Sequence, residues 1–217
     1  MIAEEPFRFA TVSYLTLICN QRATTLAELL EGIQQCSAGS IFNHTFQSLA
    51  QHHFLTEGFS NDFAQWVLAS CNCPVLAERL ASIDIRDYVS LTDLRADLYG
   101  IVVEFCRANS REAQVPAFEP FYFCETIEEQ ACTSQEARTL QEFQTALKHL
   151  SHASLEFHYI TSRLRLHLRR SDFSVWLDDK LMLARLAREI DSIDIYTNTL
   201  DSIRSRILGL IERELAQ

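Results

Sequence analysis

Residues 40–54 read SIFNHTFQSLAQHHF, and residues 154–168 read SLEFHYITSRLRLHL. Ser40, His44, Ser48 and His53 fall on Ser154, His158, Ser162 and His167 at one constant offset. The correspondence spreads outward. Pro6-Phe7-Arg8-Phe9 answers to Pro120-Phe121-Tyr122-Phe123, and Thr25-Leu26-x-Glu28 to Thr139-Leu140-x-Glu142. Asp62-Phe63-x-x-Trp66 answers to Asp172-Phe173-x-x-Trp176, and Ser82-Ile83-Asp84-Ile85 recurs unchanged as Ser192-Ile193-Asp194-Ile195. Matches kept in one order over nearly the whole chain read as two diverged copies of one unit. Two copies are too few for a solenoid, which needs about three repeats to bury a continuous core. A fused pair, packed face to face about an approximate two-fold axis, is the expected architecture. The first repeat spans 1–107, a polar linker spans 108–119, and the second repeat spans 120–217.

Helix signals recur in each repeat. Thr25 and Glu28 form a capping box, followed by Leu26, Leu29, Leu30 and Ile33 at helical spacing. Next comes the histidine helix. After it, Asn61 and Ser171 are good N-caps before Asp62 and Asp172, whose charge suits the first turn of a helix. A fourth helix begins near Pro74, and a last one follows each SIDI loop, opened by Ser90 and Thr199. The fold class is therefore mainly α: two tandem five-helix repeats, with extended or irregular chain at 6–24 and 120–137. The two PFxF segments could tuck into the core or pair with each other across the axis.

The chain has 217 residues, 47% hydrophobic and 22% charged, with only 5 glycines and 4 prolines, which suits a helical globular protein. A net charge of −10 argues against nucleic acid as the main partner, because phosphate binding needs a basic surface. No apolar run approaches the roughly 18 residues of a membrane span. The acidic start MIAEEPFRF does not read as a secretory signal. Seven irregularly spaced cysteines read as reduced thiols in the cytoplasm.

Ser40, His44 and Ser48 lie four apart and form one stripe on a helix face, as do Ser154, His158 and Ser162, with Arg165 continuing the second stripe. Three readings are open. Each histidine is bonded to a neighbouring backbone group or serine and fixes helix packing, or both line a ligand pocket with Arg165, or the stripe is a plain solvated face. Arg163, Arg169 and Arg170 belong to a basic cluster found only in the second repeat, either a solvated face balanced by nearby acids or a patch for an anion or acidic partner. Zinc needs three or four converging ligands, and no such spacing is present, so no metal or cofactor is expected. Phosphate loops, nucleophile elbows and triad orders are absent, so no catalytic residue is assigned.

The order PFxF, TLxE, a Ser-rich helix with SxxxH, DFxxW and SIDI resembles a family of bacterial and archaeal proteins defined as a domain of unknown function. The resemblance covers essentially the whole chain in both repeats. It implies a prokaryotic protein and assigns no catalytic residues. Gln51 and Leu49 of the first repeat become Arg165 and Arg163 in the second, so any site is asymmetric.

The expected function is a non-catalytic binding or regulatory protein acting through protein contacts, with a protein partner or a second copy of the chain. The alternatives are a small-anion or sugar-phosphate sensor or enzyme using a His/Arg pocket, and then a metal-binding protein.

Overall fold

The structure is a computed structural model that describes residues 2–49, 59, 61–163 and 169–216, without the side chains of 128, 130 and 132. It is mainly helical, and among the described residues two strands pair in a sheet. Strand β1 is Phe7–Ala23 and strand β2 is Phe121–Ala137, each of 17 residues. They run antiparallel: Arg8 meets Glu136, and Thr133 donates to the Phe9 carbonyl. The strands fill nearly all of the 6–24 and 120–137 stretches expected to be extended or irregular. Periodicity alone does not separate strand from irregular chain there, because only the strand ends alternate between buried and exposed positions. Phe7 and Phe9 are buried around an exposed Arg8, whereas Leu15 to Ile18 are all exposed.

After β1 come α1 (Leu26–Gln35), α2 (Ala38–Phe42), α3 (Asp62–Ala69), α4 (Pro74–Ala81) and α5 (Leu91–Ala108). After β2 come α6 (Leu140–Lys148), α7 (His152–Glu156), α8 (Asp172–Leu181), α9 (Ala184–Asp191) and α10 (Leu200–Leu215). Local chemistry sets most of these boundaries. The Thr25 and Thr139 hydroxyls accept the backbone N–H of Glu28 and Glu142, each at 3.1 Å. Each glutamate then reaches one residue further back than a capping box does, accepting the N–H of Thr24 or Arg138. Asn61 and Ser171 cap α3 and α8. Pro74 opens α4, where its missing N–H costs nothing. Met182 stops α8 in the left-handed region, at φ 55°.

The histidine helices depart from regular α geometry. α2 runs into a π-helical turn over Asn43–Gln47, and α7 into one over Phe157–Thr161. Single π turns widen a helix locally and favour positions with a special task.

The chain forms two compact units: Tyr14–Ile127, and Met1–Ser13 together with Glu128–Gln217. The sequence repeats and the compact units therefore divide the chain at different places. The first Phe pair lies with the second set of helices, and the second pair with the first set. In the unit of Tyr14–Ile127, Phe121 and Phe123 pack near Phe63 and Trp66. In the other, Phe7 packs against Phe143, Phe173 and Trp176. The two PFxF segments thus do not pair with each other. They lie in different units, where burying an aromatic ring among other rings outweighs what a short strand pair returns.

Candidate functional site

The π turns aim both matched histidines at the strands. In the unit of Tyr14–Ile127, His44 is buried, at 4% exposure. Its Nδ1 lies 2.8 Å from Asp62 Oδ2, and its Nε2 accepts the Cys124 backbone N–H at 2.9 Å. Because Nε2 accepts, Nδ1 must carry the proton and donate to the carboxylate. The Ser48 hydroxyl donates to the other oxygen of Asp62 at 2.6 Å. The rings of Phe63 and Phe121 cover the imidazole at centroid distances of 5.4 and 4.7 Å.

The second unit repeats the arrangement. His158 Nδ1 lies 2.7 Å from Asp172 Oδ2, and Nε2 accepts the Ala10 N–H at 2.8 Å. The Ser154 hydroxyl donates to the Ala10 carbonyl, so this residue of β1 is held by both backbone groups. Ser162 differs from Ser48: it donates to the His158 carbonyl and accepts the Asp172 N–H. Ser40 is also fully buried, but its hydroxyl bonds no strand atom. The indole N–H groups finish each anchor, Trp66 on the Glu119 carbonyl and Trp176 on the Glu5 carbonyl. Each lies two residues before the first Phe of a PFxF segment.

Asp62 and Asp172 were legible only as first-turn helix residues. Their role as imidazole partners had one signal, the DFxxW match, and no local pattern linked that match to a histidine. The serines and histidine of each stripe do come together, each set within its own unit. In both rings the two nitrogens are already bonded, so chemically each constellation is a clamp from helix to strand. Neither ring presents a free nitrogen to a ligand.

The basic cluster separates. Arg163 is buried, at 2% exposure, with its guanidinium 5.7 Å from the centre of the Tyr159 ring. Its Nη2 lies 3.8 Å from Asp191, while Nε and Nη1 have no hydrogen-bond partner among the described residues. Arg170 bonds the Ser174 carbonyl and pairs with Asp178 at 2.9 Å. Arg169 is exposed. Arg165, His53 and His167 lie outside the described residues. Three cavities of ≈ 620, 630 and 420 Å³ have none of these candidates in their walls. The second of them is lined by Cys71 and Cys73. Burial pushes the Cys71 thiol up to about 12, with a smaller contribution from Cys73, so at neutral pH it is a poor nucleophile. Among the described residues, no cluster of three or more His, Cys, Asp or Glu side chains could hold a metal ion, and no helix is long and apolar enough to cross a membrane.

Residues 4–212 match a family of unknown function, DUF5752. The chain belongs to this family. The fold of this DUF5752 protein is similar to that of OrfY from Thermoproteus tenax, with a TM-score of 0.85 and 29% sequence identity. The likeness covers 100% of this chain and 99% of OrfY. No curated protein matches the sequence.

Proposed function

We propose that this DUF5752 protein is a non-catalytic binding or regulatory protein that acts through protein contacts. We also read it as a fused pair of one ancestral unit whose repeats have exchanged their first strands. The observation that carries the functional reading is the centre of β1. Leu15, Leu17 and Ile18 are 59%, 43% and 77% exposed, and Ile127 of β2 is 48% exposed, all within the unit of Tyr14–Ile127. An exposed strand is usually defended by lysine, proline or a bulge, and residues 9–21 contain no charged side chain and no proline. The histidine constellations support the reading from the other side, since their polar groups are spent on holding strands. The test is a photoreactive residue in place of the exposed Thr16, in the full chain, illuminated in its own host. A protein adduct is expected. A chain that acquires no adduct would sink the proposal.

A second reading rests on Arg163. A buried guanidinium with two nitrogens unpartnered among the described residues is costly, and a small anion would relieve that cost. Phosphate and a sugar phosphate should then raise the melting temperature of the native chain and leave an Arg163→Leu variant unmoved. Equal shifts in both would remove this reading.

A further inference from the structure

Arg206, Gly209, Leu210 and Arg213 recur three or four residues apart in α10 and so share one face, beside the face that buries Ile203, Ile207 and Ile211 in the core. That first face forms one wall of the ≈ 620 Å³ cavity. The end of α9 and the loop after it supply the rest of the lining, through Glu189, Ser192, Ile193 and Asp194. All of these residues belong to the unit that contains Glu128–Gln217. We propose that this cavity is a binding site for a small organic molecule that carries one oxoanion, a phosphate or a carboxylate, on a body with hydroxyl or amino groups. Its volume falls within the roughly 300–1,000 Å³ of pockets that hold such molecules. Neither β1 nor Arg163 lines it, so the site is independent of the protein-contact reading and of the Arg163 reading.

One feature opens the wall and another selects an oxoanion. Glycine inside a helix weakens it, and no atom lies within 4 Å of where a Gly209 Cβ would stand, so packing does not require glycine there. The missing side chain leaves a bare turn of helix between two guanidinium groups, Arg206 three residues before and Arg213 four after. The charges are spent unequally. Arg204, on the same helix, bonds the Leu150 carbonyl and pairs with Asp201. Arg206 is exposed and has no acid partner among the described residues. A guanidinium pairs with both oxygens of a phosphate or carboxylate at once. The acids of the wall are engaged: Asp194 accepts the Tyr196 N–H and the Thr197 hydroxyl, and Glu189 lies 3.9 Å from Arg185. Their remaining lone pairs suit hydroxyl or amino donors on the body of the ligand. The turn of α5 around Gly100 supplies the contrast. It is equally bare, but counting from the glycine, Asp97 and Glu104 stand where α10 has Arg206 and Arg213. Asp97 accepts the Tyr88 hydroxyl at 2.6 Å and Glu104 pairs with Arg79 at 2.5 Å, so an oxoanion would meet acids there.

Saturation-transfer NMR and thermal melting of the full chain test the site with ribose 5-phosphate, adenosine monophosphate, 3-phosphoglycerate and citrate. Ribose, adenosine and glycerol, which lack the oxoanion, and inorganic phosphate, which lacks the organic body, are the controls. At least one of the four organic anions should bind with a dissociation constant below about 1 mM, and about tenfold or more tighter than any control. Arg206→Gln should weaken that binding about tenfold or more. Gly209→Leu, whose side chain enters the cavity from a position with room for a Cβ, should abolish it. Arg206→Gln changes an exposed residue and keeps the test decisive even where Gly209→Leu unfolds the chain. Gly100→Leu and Arg163→Leu should leave binding unchanged. Four organic anions that all fail to bind would overturn the inference, as would binding that survives Arg206→Gln or a folded Gly209→Leu. Inorganic phosphate bound as tightly as the esters would mean an adventitious ion only, and would overturn it too. Binding lost in Arg163→Leu and kept in Arg206→Gln would assign the anion to Arg163 and remove this site.

Discussion

The His158 and His44 clamps use the same atoms in different surroundings. The Asp172 side chain is 14% exposed and the Asp62 side chain 36%. Ala10 is gripped through both its N–H and its carbonyl, whereas Cys124 is gripped through its N–H. Beside His158 the helix buries Glu156 and Arg163. The matching positions beside His44 carry Phe42, stacked on Phe46, and Leu49. The flank of His44 is thus apolar and that of His158 holds buried polar side chains, while the imidazole–carboxylate–strand bonds are the same in both. The comparison teaches that the clamp depends on a few polar bonds in a dry ring of aromatic side chains, and that the flank is free to change.

Several substitutions would break or sharpen that comparison. His158→Ala should cost most, about 3–5 kcal/mol, since it removes the acceptor of the buried Ala10 N–H and one donor to a largely buried carboxylate, and opens a cavity. His44→Ala should cost less, about 2–4 kcal/mol, because water reaches Asp62 more readily. Urea unfolding combined with hydrogen exchange read separately for each unit would measure both, and an equal or reversed order would show that carboxylate exposure does not set the difference. Gly32→Ala comes next. The added Cβ would lie 2.2 Å from the Phe123 ring, which is fully buried and cannot swing away. The overlap should outweigh the roughly 0.5–1 kcal/mol gained in helix propensity, for a net loss of about 1–3 kcal/mol. The second repeat already carries Ala146 at the matching position, so Ala146→Gly should cost only about 1 kcal/mol. A stabilised Gly32→Ala chain would show that the Phe123 pocket gives way. Smallest are the caps: Thr25→Ala and Thr139→Ala should each lose about 1 kcal/mol of thermal stability. Unequal losses would mean that the two capping motifs are not equivalent.

Much of the helical layout was legible in the chain. The caps at Thr25, Thr139, Asn61 and Ser171 act within three residues of themselves, and so does the proline at the start of α4. The turns at Asp84 and Asp194 are similar, each carboxylate accepting a backbone N–H two residues on. The strands were legible only at their ends. Their exposed centres lack an alternation of buried and exposed positions, so both stretches read only as extended or irregular chain. The π turns left no trace, since helical spacing around His44 and His158 looks regular in sequence.

The sequence by itself determined the order of helices and the matching motifs of its two halves, because periodicity and capping are local. Only the tertiary structure decided that each Phe strand is anchored among the helices of the other repeat, and that the histidines spend both ring nitrogens on that anchoring. Those bonds join residues 80 and 148 positions apart. Their partners are a backbone amide, which every residue except proline carries, and an aspartate that reads equally well as a helix start. Nothing in residue type marks such a partner before the chain has folded.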